Sequence, residues 1–141
     1  DRSEEKAILA RRKLRGKDTH DVVQITSPKK VVAMQKALET VHVDPAILSY
    51  IIEVVARSRE DHRVVNGASP RASQALFKIG RASAAIEGRD YVIPDDIKGL
   101  ALHVVSHRIV MKPEAKIRGI TGHHIMRKIL SEVPVPVIQQ G

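Results

Sequence analysis

The chain has 141 residues, 43% of them apolar and only 2% aromatic, and a formal net charge of +8. That length suits one domain, or a domain with a tail, whose core is built from Ala, Val, Ile and Leu. Cysteine is absent, which excludes disulfides, cysteine–zinc sites and thiol catalysis, and no apolar run approaches the ~18 residues of a membrane span.

The opening DRSEEKAILARRKL is charged throughout and is not a signal peptide. Asp1 stands inside a helical pattern without an initiator methionine, so the expectation is a piece of a longer protein. Ser3 followed by Glu4 and Glu5 reads as a helix N-cap with acids in the first turn. That helix runs to about Leu14 and ends at Gly16. The densest basic stretch, Arg11-Arg12-Lys13 with Arg15 and Lys17, falls where cations suit the negative end of the helix dipole. The apolar side, Ile8 and Leu9, is too thin to anchor the helix, which is expected to pack on something outside this chain. Residues 16–26 read as a linker lying across the next domain, with a short extended patch at Val22, Val23 and Ile25.

Ser27-Pro28 supplies an N-cap with proline at the first helical position, and the helix continues to about Glu39. Val41-His42-Val43 is a short connection. Asp44-Pro45 repeats the start signal and opens a helix with Ile47, Leu48, Ile51, Ile52 and Val55 at the spacing of a buried stripe. Residues 57–68 read as a charged loop closing on Asn66-Gly67. Ser69-Pro70 starts a further helix, with Ala72, Ala75, Leu76, Ile79, Ala82, Ser83 and Ile86 along one side and Gly88 as its terminator. Tyr91-Val92-Ile93 is an extended connector. Pro94-Asp95-Asp96 then opens a helix expected to be buried at Ile97, Leu100, Ala101, Val104 and Val105. After Pro113 the pattern weakens. Thr121 caps a last helix with Ile125, Met126, Ile129 and Val133 on one side, stopped by Pro134 and Pro136. No repeat at a solenoid period is present. The expected fold is all-α: a small helical bundle over residues 27–136, with a leading helix (1–15), a linker (16–26) and a tail (137–141).

The chain contains no G-x-x-x-x-G-K-[ST] phosphate loop, no G-x-S-x-G elbow and no H-E-x-x-H helix, so it has nothing with which to hydrolyse ATP alone. His103 and His107 are four apart and could share a helix face, but no third ligand is placed by the sequence. His123 and His124 are adjacent and point in different directions. A surface or partly packed role is expected for all four. Arg71 departs from local rules, as do Lys29 and Lys30 in the first turn of an earlier helix, for which the sequence offers no functional account. Arg71 falls at the second position of a helix, where a cation opposes the dipole by roughly 0.3–1 kcal/mol. A guanidinium beside free N–H groups at a helix start is a receptor for phosphate. Arg71, Gln74, Lys78 and Arg81 lie at helical spacing along one polar edge, which could face a nucleotide or an acidic partner, or simply solvent.

Three stretches are recognisable: GASPRAS at residues 67–73, EGRDYVIPDDIKGLA at 87–101 and SHRIV at 106–110. They resemble the lid of MoxR-family AAA+ ATPases, VHVDPAILSYIIEVVARSRE at 41–60 looks like the preceding lid helix, and SEVPVP resembles the family's closure. The likeness covers roughly residues 27–136. It implies that residues 1–15 are the last helix of an α/β core domain lying outside this chain, and that Arg71 is the sensor 2 arginine, with Ser69 and Pro70 positioning it. It further implies ATP and Mg2+ in the full-length protein, with no cofactor expected in this piece alone. The implied whole is a ring-forming, often hexameric, chaperone-like ATPase of the cytoplasm, with von Willebrand factor A domain proteins as partners. In one departure, Ile93 stands where the family commonly has a hydroxyl residue before the proline, so the cap of that helix is expected to be weaker or supplied otherwise.

Two other readings remain at this point. A basic helical module could bind nucleic acid, though the scattered charge and lack of exposed aromatic candidates argue against it. A protein-interaction domain without a nucleotide role is the second, against which the intact S-P-R motif argues.

Overall fold

In the computed structural model, which describes residues 1–17 and 22–137, five of the seven helices among the described residues begin on a proline: Pro28, Pro45, Pro70, Pro94 and Pro113. Proline has no N–H to leave unsatisfied in a first turn, and its φ is already helical. Residues 18–21 of the expected linker and 138–141 of the expected tail lie outside the described residues. The chain divides into two units, residues 1–33 and 34–141.

The first unit holds α1 (Arg2–Arg15) and the start of α2 (Pro28–Leu38). The N-cap of α1 is Asp1 rather than the expected Ser3. The Asp1 carboxylate accepts the Ser3 N–H at 3.3 Å and the Ser3 hydroxyl at 2.8 Å, which draws Ser3 into the first turn. Gly16 ends the helix at φ 69°, a left-handed conformation that glycine adopts without a Cβ clash. No residue of α1 is buried, and Ile8, Leu9 and Leu14 are exposed, as the thin apolar side suggested. Val22, Val23 and Ile25 are exposed without regular structure. Ser27 caps α2 through the Lys30 N–H (3.4 Å).

The core belongs to the second unit. It is formed by α3 (Pro45–Glu60), α4 (Pro70–Ile86), α5 (Pro94–Val105) and α7 (Gly122–Glu132), with the short α6 (Pro113–Ile117) beside them. Asp44 caps α3 by accepting the Ala46 N–H at 2.7 Å. The buried face of α3 is Ile47, Tyr50, Ile51, Val54, Val55 and Ser58. This is not the stripe read from the sequence. Leu48 and Ile52 are exposed, because the helix is turned so that positions i, i+3, i+4, i+7, i+8 and i+11 from Ile47 face the bundle. In α4 the buried positions are Ala72, Leu76, Gly80 and Ala84, while Ile79 and Ile86 lie outside. Small residues let α5 approach closely: a Cβ on Gly80 would stand 2.6 Å from Ile97 Cδ1.

The expected loop at residues 57–68 is shorter and more ordered than its charge implied. α3 continues to Glu60, helped by an Arg57–Glu53 pair at 2.7 Å. β1 (Val64–Asn66) then pairs antiparallel with β2 (Val110–Met111). Val64 and Met111 turn into the core, which gives this small sheet its place on an otherwise helical domain. The extended connector at residues 91–93 runs parallel to residues 41–43, with the His42 N–H on Asp90 O (2.7 Å) and the Val92 N–H on His42 O (3.0 Å). Among the described residues no helix is long and apolar enough to cross a membrane.

Candidate functional site

The start of α4 is where the sequence placed its one functional cation. Ser69 has the extended backbone of an N-cap (φ −78°, ψ 168°) and Pro70 the first helical position, as expected, but the Ser69 side chain makes no capping hydrogen bond. The helix start is held instead by its neighbours. Ala68 is completely buried, and both its backbone polar groups are taken by consecutive residues at the end of α3. Its N–H donates to Ser58 Oγ at 2.9 Å, and its carbonyl accepts from Arg59 Nη1 at 2.8 Å. The Ser58 hydroxyl donates in turn to Val55 O at 2.6 Å, so this fully buried side chain is satisfied as donor and acceptor. Gly67 makes the contact possible, since a Cβ there would stand 2.5 Å from Ser58 O.

Arg71, one residue into α4, is exposed and has no hydrogen bond or ion pair among the described residues. Gln74 and Lys78 are also exposed. Arg81 is not part of that edge. Its guanidinium reaches Glu39 Oε2 (2.7 Å), Glu39 O (3.3 Å) and Val41 O (3.1 Å), and its Cζ lies 4.4 Å from the centre of the Phe77 ring. A carboxylate, two carbonyls and an aromatic face hold it more firmly than solvent does. The four-residue polar edge therefore reduces to Arg71, Gln74 and Lys78.

At the other end of α4 lies a polar cluster that sequence reasoning missed. Asp96, in the first turn of α5, is buried and accepts two bonds from Arg89, both 2.8 Å, one from the Ser83 hydroxyl (3.1 Å) and one from the Ile93 N–H (3.0 Å). Burial pushes the carboxyl up, but the Arg89 guanidinium, the Ile93 N–H and the Ser83 hydroxyl together hold it below the ordinary carboxylate range. Here is the cap that Ile93 could not provide: the acid three residues on takes the Ile93 N–H from within the helix. The Pro-Asp-Asp run was the available signal, with its second acid at the capping-box position.

His103, His107, His123 and His124 are all exposed. His107 Nδ1 lies 3.0 Å from His103 O, and His124 Nδ1 accepts the Thr121 N–H at 3.1 Å. A separate shallow concavity of about 200 Å3 beside β1 and α6 is lined by His62, Arg63, Lys112, Glu114, Ala115, Arg118 and Ile120. Its most enclosed cation, Arg63, is bound to Asp61 at 2.7 and 2.9 Å.

The sequence profile of the AAA lid domain family matches residues 56–129, a span that includes the α3–α4 junction and the Asp96 cluster. The chain is 42% identical over 113 residues to YeaC, an uncharacterized protein of Bacillus subtilis, covering 80% of this chain and 35% of that one. It is 30% identical over 131 residues to the chaperone MoxR1 of Mycobacterium tuberculosis, covering 84% of this chain and 35% of the relative. The crystal structure of a candidate ATPase from Cytophaga hutchinsonii superposes with a TM-score of 0.79 at 29% identity, covering 95% of this chain and 43% of that one. The chain thus spans about a third of the length of the curated relatives it matches. With the profile match, the MoxR relatives and the shared architecture together, the chain belongs to the AAA lid domain family, in the form found in MoxR proteins.

Proposed function

We propose that this chain is the lid of a MoxR-like ATPase and that Arg71 is its sensor 2 residue, contacting the terminal phosphate of ATP held by a core domain. The observation that carries this reading is the contrast between two arginines of one helix. Arg81 is bound on several sides, whereas Arg71, at the N-terminus of α4, has no partner among the described residues and is exposed. An arginine without a partner, where it opposes the dipole, is placed for a ligand rather than for the fold.

The residues fit a contribution to a nucleotide site and not a whole one. The chain offers a guanidinium on an anchored helix start and no phosphate loop. ATP and Mg2+ would be held by the core domain, which supplies the phosphoryl-transfer chemistry. Arg71 neutralises charge on the terminal phosphoryl oxygens, and its fixed position ties the lid to the presence of that phosphate. On this reading residues 27–136 are the lid, residues 1–15 belong with the core, and residues 16–26 link the two. The exposed Ile8, Leu9 and Leu14 of α1 then have a surface to cover them. The whole protein assembles as a ring, acts in the cytoplasm in a chaperone-like way, and takes von Willebrand factor A domain proteins as partners.

The test is Arg71→Ala in the intact ATPase. Turnover should fall about 100- to 1,000-fold with appreciable nucleotide binding retained. Unchanged turnover removes Arg71 from the mechanism.

A further inference from the structure

The sequence gives Arg71 a helix start of the ordinary kind, a hydroxyl residue followed by proline. In the structure the Ser69 hydroxyl does not cap α4, so the position of the first turn depends on residue 68 and on what holds it. Two side chains do. Ser58 takes the Ala68 N–H at 2.9 Å and Arg59 the Ala68 carbonyl at 2.8 Å. The two are adjacent on the last turns of α3, so the peptide groups on either side of Ala68 are fixed from one helix end. Gly67 lets the chain pass against the α3 backbone, and the Ala68 methyl is wholly buried. Three covalent steps then lead from Ala68 to the Arg71 backbone, one of them the stiff Pro70.

We propose that Ser58 is a positioning residue for Arg71: through its buried hydrogen bond to the Ala68 N–H it sets where α4 begins, and so where the Arg71 guanidinium is presented. Arg59 assists by holding the next peptide group, through the Ala68 carbonyl. A Ser58→Ala side chain leaves the Ala68 N–H buried without an acceptor, a loss the loop relieves by moving outward toward water. Displacement of about 1 Å at a phosphate-contacting group is enough to reduce rate by up to 100-fold. The inference rests on the reading of Arg71 as the phosphate contact, and it adds a residue in a different helix that never touches the nucleotide.

The experiment is a double-mutant cycle in the intact ATPase, with Ser58→Ala, Arg71→Ala and the pair, read as turnover at saturating ATP and as Tm. Hydrogen exchange of the Ala68 amide is followed in the same proteins. Ser58→Ala should speed exchange at Ala68 and lower turnover about 10- to 100-fold, and in the Arg71→Ala background it should lower turnover no further, although its Tm shift persists. Equal loss of turnover in both backgrounds shows a general structural role and overturns the proposal. So does a folded Ser58→Ala protein with normal turnover while Arg71→Ala is impaired. Normal turnover in Arg71→Ala itself overturns the sensor reading, and this inference with it. If Ser58→Ala does not fold, the same cycle is run with Arg59→Ala, which removes the exposed side chain that holds the following peptide group. There too a loss confined to the Arg71 background supports the positioning role, and an equal loss in both, or none, rejects it.

Discussion

Arg89 and Asp96 meet in a two-pronged ion pair, both contacts 2.8 Å, that closes the turn between α4 and α5. The pair also carries the cap of α5, because the same carboxylate takes the Ile93 N–H and the Ser83 hydroxyl. One buried acid thus joins the end of one helix, the connector and the start of the next. Removing the charge while keeping the shape, Asp96→Asn, is expected to destabilise the chain by about 2–4 kcal/mol at neutral pH, since a guanidinium loses its partner in a largely enclosed site. Thermal unfolding followed by circular dichroism checks this.

The same carboxyl predicts a pH dependence. Its folded-state pKa is depressed below the ordinary carboxylate range, as is that of Asp61, where the Arg63 hydrogen bonds outweigh the opposing effect of burial. A group of this kind contributes stability that is present above its unfolded pKa and lost as pH falls through the folded value. Stability should therefore be flat near neutrality and decline below about pH 4. Asp96→Asn and Asp61→Asn should each flatten the decline. An acid limb unchanged in both variants would show that neither pair contributes to it.

Three glycines separate packing from propensity. Gly67→Ala sets a Cβ 2.5 Å from Ser58 O and 2.6 Å from Arg59 N, which are backbone atoms that cannot yield, and is expected to destabilise by about 1–3 kcal/mol. Gly80→Ala meets only the end of a side chain, Ile97 Cδ1 at 2.6 Å, so a rotamer change absorbs part of the clash and the loss should be smaller. At Gly99, inside α5, a Cβ would meet no other part of the described chain within 4 Å beyond its own helix backbone, and Gly99→Ala should stabilise by about 0.5–1 kcal/mol. The order of Tm, Gly99→Ala above the parent and Gly67→Ala lowest, is the outcome to measure.

Start signals were the readable part of this chain. Each Asp-Pro or Ser-Pro pair marks a helix in the structure, because proline has no N–H to leave unsatisfied in a first turn and its φ is already helical; Asp44 adds a side-chain cap, whereas Ser69 does not, and the start of α4 takes its hold from α3. Faces were harder. In α3 two apolar stripes share Ile47, Ile51 and Val55, and the bundle chooses the side that carries Tyr50 and Ser58, which hydropathy alone ranks below Leu48 and Ile52. The β1–β2 pairing joins residues far apart in sequence through short segments with almost no periodicity. Within the candidate site Arg71 stood out locally by opposing a dipole. Ser58 and Arg59 could not, since their part in holding Ala68 exists only once α3 lies beside it.

Arg81 illustrates a role that only packing creates, and it should resist a conservative change. Arg81→Lys keeps the charge but cannot reach Glu39 Oε2, Glu39 O and Val41 O together, nor lie flat on Phe77. Glu39 is exposed, so the ion pair itself is worth little, and most of the loss comes from the carbonyl bonds and the ring contact. Arg81→Lys and Arg81→Ala are expected to destabilise by similar amounts, about 1–2 kcal/mol. Full stability in Arg81→Lys would mean that charge, not fork geometry, holds the segment.

Arg71 should behave in the opposite way in the isolated 141-residue chain. It is exposed, has no partner among the described residues, and sits where the α4 dipole repels a cation. Arg71→Ala removes that repulsion and adds a better helix former, so Tm should stay the same or rise, by an amount corresponding to about 0.3–1 kcal/mol. The effect should shrink in high salt, as expected of an exposed charge at a helix terminus. The comparison with Arg81 is internal: two arginines on one helix, one whose loss weakens the fold and one whose loss does not. A clear fall in Tm for Arg71→Ala would mean that this side chain supports the domain itself, and the case for its serving a nucleotide would lose its basis.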